Sequence, residues 1–153
     1  MDATDYIYRL ALALGIGILV GVQREAVHDE PEGKLFAGAR TFALFSLLGY
    51  VLALASTEAG SASPFLGGLI VLGGLLALAY RADVKEGKPG MTTEMSAVVI
   101  YATGGICYWG LLPLAAALGV TVTAMLALKH EFRSFSHAIT RQGFLQHPHQ
   151  WAI

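Results

Sequence analysis

The chain has 153 residues, 55% of them hydrophobic and 14% charged, with a formal net charge of -1 and a mean hydropathy of +0.58. Soluble domains carry about 25% charged residues, so this composition excludes an ordinary soluble fold, and without a basic tail nucleic acid is excluded as a partner. Cys107 is the only cysteine, which excludes an intrachain disulfide and any multi-cysteine metal site.

Five apolar stretches are long enough, or nearly so, to cross a bilayer: roughly 7–22, 42–55, 65–80, 95–112 and 114–128. Before the first stand Asp2 and Asp5 rather than the basic residues of a cleavable signal peptide, so this span is expected to be retained. Asp5 and Arg9, four residues apart, predict a helical ion pair at its start. Ala13, Gly17 and Gly21 repeat every fourth residue and give the span one smooth face. Such a face either packs helices inside the chain or forms a homodimer seam.

A polar loop follows, with Asp29, Glu30, Pro31, Glu32 and Gly33. Pro64 and Pro113 suit span boundaries, because proline stops one helix and tolerates the first turn of the next. The fourth and fifth spans are expected to form a tight hairpin around Tyr108-Trp109-Gly110, where Tyr and Trp fit an interfacial aromatic belt. Beyond the fifth, Phe132, Phe135 and Ile139 recur at helical spacing and predict a short amphipathic helix. His147 and His149 near the end read as a solvated pair, a weak and nonspecific metal ligand at best.

The expected fold is therefore all-α: an integral membrane protein of about five transmembrane helices over 1–128, then a cytoplasmic amphipathic helix and tail over 129–153. Of the 10 Lys and Arg residues, all but Arg9 fall in alternate loops, hence on one side. The positive-inside rule puts that side in the cytoplasm and the N-terminus outside.

Polar groups gather at the cytoplasmic ends of several spans. Gln23-Arg24-Glu25 closes the first, Gly38-Ala39-Arg40-Thr41 opens the second and Thr92-Thr93-Glu94 opens the fourth. Ionisable groups at the mouth of a span cost free energy unless paired or wetted, which marks a site. One reading is a network in which Arg24 and Arg40 pair with Glu25 and Glu94 and lock the helices in register. Another is a hard-cation site for Mg2+, with Glu25 and Glu94 as ligands and Thr41, Thr92 and Thr93 supplying oxygens. The two arginines oppose a cation and suit a phosphate or a lipid headgroup instead.

At these residues the sequence resembles a known family. The run Gly15-Ile16-Gly17-Ile18-Leu19-Val20-Gly21-Val22-Gln23-Arg24-Glu25, then Gly38-Ala39-Arg40-Thr41 and Gly90-Met91-Thr92-Thr93-Glu94, is similar to the N-terminal membrane domain of the MgtC/SapB family. The similarity runs from about Leu10 to Leu128 and carries over Arg24, Glu25, Gly38, Arg40, Thr41, Thr92 and Thr93 as motif positions. Many members have alanine where Glu94 stands. Glu94 is more like the subgroup fused to a second, larger membrane domain, which is not expected here, nor is the soluble C-terminal domain of other members. The resemblance implies a bacterial-type inner-membrane protein linked to magnesium transport or homeostasis. It implies, as an alternative, a regulator of other membrane machinery, notably the ATP synthase.

No P-loop, paired-cysteine zinc pattern or nucleophile elbow appears, so no enzyme activity is expected. The expected partners are the lipid bilayer, a second copy of the chain and another membrane protein. Between the terminal turns of the spans only Ser46, Tyr50, Ser96, Tyr101, Thr103, Thr121 and Thr123 are polar, a thin lining for a pathway through one chain.

Overall fold

A computed structural model describes residues 2–27, 38–85 and 91–128, apart from the side chain of Thr93. The amphipathic helix expected after 128, with the two terminal histidines, lies outside the described residues. All regular structure among them is helical: α1 (Ala3–Val27), α2 (Ala39–Glu58), α3 (Ser63–Lys85), α4 (Thr92–Tyr108) and α5 (Leu112–Leu128). Three helices, Ala3–Ala26, Ala39–Glu58 and Ser63–Lys85, are long and apolar enough to cross a membrane. At 1.5 Å per residue, α4 and α5 reach about 25 Å each, a little short of the ~30 Å hydrocarbon core.

The helices run past the apolar stretches that predict them. α1 continues through Gln23, Arg24 and Glu25, and α3 continues from Tyr80 to Lys85. Backbone hydrogen bonds propagate cheaply once a helix exists, so the ladder does not stop where hydropathy falls. The ends are set by turn chemistry. Gly60 (φ 60°) and Gly110 (φ 82°) adopt the left-handed conformation that favours glycine. After Gly110 the Leu111 N–H reaches the Ile106 carbonyl and the Gly110 N–H the Cys107 carbonyl, the paired bonds that end a helix in a Schellman motif. Two residues on, Pro113 sits in the first turn of α5, so the expected hairpin forms.

α2 lies at the centre, in contact with α1, α3 and α4. Its neighbours approach to backbone contact. A methyl group at Gly104 would overlap the Ser46 carbonyl, and one at Gly49 the Tyr101 carbonyl. On the other side, Gly17 and Gly21 of α1 face the backbone of Ala43 and Ala39, and Ala13 is fully buried beside them. The small-residue face of α1 therefore packs against α2 within the chain. The fully buried core holds Tyr101, Phe42, Ile100, Val20, Thr103, Cys107 and Ser46. α3 is peripheral, with Leu72 and Leu76 as its buried residues, and α5 meets α1 where Gly119 approaches Ile16.

Candidate functional site

The two ends of the bundle hold very different charge arrangements. At the α1 N-terminal end, Arg9 pairs with Asp5 (2.8 Å) and donates through Nη1 to the Tyr108 carbonyl (2.9 Å) at the end of α4. A cation on a helix C-terminus satisfies an orphan carbonyl and complements the helix dipole. Tyr6, Tyr50 and Tyr108 pack around it, with Phe65 touching both Tyr101 and Trp109 nearby. Tyr108 and Trp109, expected as an aromatic belt, both belong to this cluster of rings.

At the opposite end, α1 finishes, α2 and α4 begin, and α3 finishes. Arg24 is 7% exposed and Glu94 6%. Arg24 Nη1 and both carboxylate oxygens of Glu94 are buried with no hydrogen-bond partner among the described residues. The fields of Glu94 and Asp83 both act on Arg24, yet Arg24 closes no ion pair among the described residues. Its guanidinium carbon instead lies 5.9 Å from the centre of the Phe42 ring, in the range of a cation–π contact. Glu94 occupies the first turn of α4, where the free backbone N–H groups favour a negative charge.

Glu25, expected beside Glu94, has a different setting. It is exposed, and its Oε1 accepts the Ala39 N–H at the start of α2 (2.8 Å). Successive helical residues point about 100° apart, so Arg24 and Glu25 cannot share one face. Gly38 has a local reason: a Cβ there would overlap the Glu25 carboxylate. Arg40 is exposed and Thr41 half-buried at the same helix start. Thr92 is half-buried and its carbonyl accepts the Ser96 hydroxyl (2.6 Å), while Thr93 is the second residue of α4.

Two residues of this site were not marked by the sequence reading. Asp83 lies beyond the apolar stretch of the third span, and Phe42 reads as an ordinary apolar residue at the start of the second. The helical continuation Arg81-Ala82-Asp83-Val84-Lys85 was the available signal for Asp83. As a donor set, the unpartnered oxygens of Glu94 fit a hard cation that keeps most of its waters. No group of three or more His, Cys, Asp or Glu among the described residues is placed to hold a metal ion, so a closed all-protein cage is not the chemistry offered.

The seven polar side chains expected as a thin lining are all committed to backbone carbonyls. Ser46 bonds Ala13 O and Tyr50 bonds Tyr6 O; Ser96 bonds Thr92 O and Tyr101 bonds Phe65 O. Thr103, Thr121 and Thr123 bond the carbonyls of Val99, Ala117 and Gly119, each four residues earlier. These bonds tie helices together or fold back on their own turn, and they occupy the hydroxyl protons that a polar pathway would present.

The apolar helices and the buried charges at one end define a multi-pass α-helical membrane protein. A family model described as the MgtC family matches residues 10–135, and the chain belongs to that family. No curated protein and no solved structure matches it.

Proposed function

We propose that this protein acts in Mg2+ homeostasis in a bacterial-type inner membrane, binding a divalent cation at Glu94. The N-terminus is placed outside and the polar ends in the cytoplasm, following the one-sided distribution of Lys and Arg. The observation that supports the reading is the Glu94 carboxylate itself, buried with both oxygens unpartnered among the described residues. An anion in that setting is stabilised by any cation that reaches it. Glu25, engaged at the start of α2, has a structural task in this reading and is not a ligand.

A second reading, a regulatory subunit that binds cation without conducting it, is favoured by one observation. The seven mid-span hydroxyls named above are committed to carbonyls, and fully buried Ile100 and Tyr101 lie in the middle of α4. Liposomes loaded with a magnesium-sensitive dye separate the two. Uptake above empty liposomes that Glu94→Gln abolishes makes the protein a transporter, alone or with a pathway shared between copies. Mg2+-dependent thermal stabilisation without uptake, lost in Glu94→Gln and kept in the Glu58→Gln control, makes it a regulator. Equal Mg2+ response in Glu94→Gln and wild type overturns cation binding at Glu94.

A further inference from the structure

Arg24 is the anomaly in a cation site, because a fixed positive charge beside the ligating carboxylate would repel the ion. Half-buried Arg9, near the other end of α1, shows what a locked guanidinium looks like. Arg9 is held by a 2.8 Å ion pair to Asp5 and a hydrogen bond to the Tyr108 carbonyl. Arg24 has no such tie among the described residues. It lies over the Phe42 ring, close enough to Glu94 and Asp83 to feel both, and its Nη1 donates to nothing described.

We propose that Arg24 is a tethered competitor for Glu94: its guanidinium and a hydrated divalent cation take turns before the carboxylate, and the Phe42 ring holds the arginine when the cation is bound. This deepens, and rests on, the reading that Glu94 binds a divalent cation. The exchange keeps the buried carboxylate beside a positive charge in both states, so neither state leaves Glu94 as a lone buried anion. An aromatic face suits the displaced guanidinium, since cation–π attraction survives in a dry setting where water cannot solvate the charge. The competition also sets the ion concentration at which the site fills, because the cation must win against a ligand of fixed effective concentration. Mg2+ occupancy is thereby converted into a movement of the α1 side chain against α2.

The test is the half-saturating MgCl2 for thermal stabilisation of the full chain in detergent micelles, at ionic strength held constant with NaCl. Arg24→Gln removes the competitor and should lower that concentration by roughly tenfold, the factor that corresponds to one modest charge contact. Phe42→Leu removes the resting place, leaves Arg24 biased toward Glu94 and should raise it several-fold. A response in Arg24→Gln where wild type shows none supports the proposal in its strongest form. An unchanged or higher half-saturating concentration in Arg24→Gln, with wild type responsive, overturns the competition and leaves cation binding standing. No Mg2+ response in wild type or in Arg24→Gln removes cation binding and the competition together. Should Arg24→Gln fail to fold, Phe42→Leu decides, and an unchanged or lowered value there overturns the competition.

Discussion

Arg9 and Arg24 sit near opposite ends of one helix, and their surroundings could hardly differ more. Arg9 has a carboxylate and a helix-terminal carbonyl, and each of its three side-chain nitrogens is engaged. Arg24 is more deeply buried, lies in the field of two carboxylates on two other helices, and hydrogen bonds to neither among the described residues. Folding alone favours the first arrangement, because a buried polar atom without a partner costs about 1–3 kcal/mol and a charged one more. In the reading proposed above, the second persists because Glu94 takes a cation, so one end of the bundle serves stability and the other binding.

If that contrast is right, substitutions at the two ends should differ in their effect on unfolding. The largest loss should come from Arg9→Met, which strands Asp5 and uncaps α4. We expect about 1–2 kcal/mol, discounted because Asp5 is 38% exposed, read as a fall in the unfolding midpoint in detergent. Glu25→Ala should cost less, about 0.5–1 kcal/mol, the usual effect of losing a charged helix cap. High salt should shrink the difference from wild type, because Glu25 is exposed. Smallest of all should be Glu94→Gln in Mg2+-free buffer, within about 0.5 kcal/mol of wild type or more stable, since no described partner is lost and a buried charge is removed. A Glu94→Gln variant less stable than Arg9→Met would break the contrast and make Glu94 a structural anchor.

The fold was largely legible in the sequence. Apolar run lengths mark out all five helices, Pro64 and Pro113 place the starts of the third and fifth, and Tyr108-Trp109-Gly110 marks the hairpin. The Gly-x-x-Arg-Glu and Gly-x-Arg-Thr patterns point to the family that the match over residues 10–135 shows. What stayed hidden was angular and long-range. Arg24 and Glu25 are adjacent in the motif, yet helical geometry sends one into the bundle and the other onto the start of α2. Asp83 entered the site because α3 outlasts its apolar stretch by more than a turn. Phe42 is indistinguishable from any span phenylalanine until the α1–α2 packing sets its ring beside Arg24. The hydroxyl residues were visible as a sparse set, but their donation to specific carbonyls depends on which helices meet.

The peripheral position of α3 has a mechanical side. Besides the buried Leu72 and Leu76, α3 is tied by hydrogen bonds near its N-terminal end, where the Tyr101 hydroxyl donates to the Phe65 carbonyl (2.7 Å) and the Phe65 N–H donates to Ser56 Oγ (2.9 Å). Its 23 residues span about 34 Å, longer than the hydrocarbon core, and a helix of that length accommodates the excess by tilting. The far end of α3 carries Asp83, one of the two carboxylates whose fields act on Arg24, so a change in the tilt of this helix would be felt at the charged end of the bundle while the hydrogen-bonded aromatic end holds.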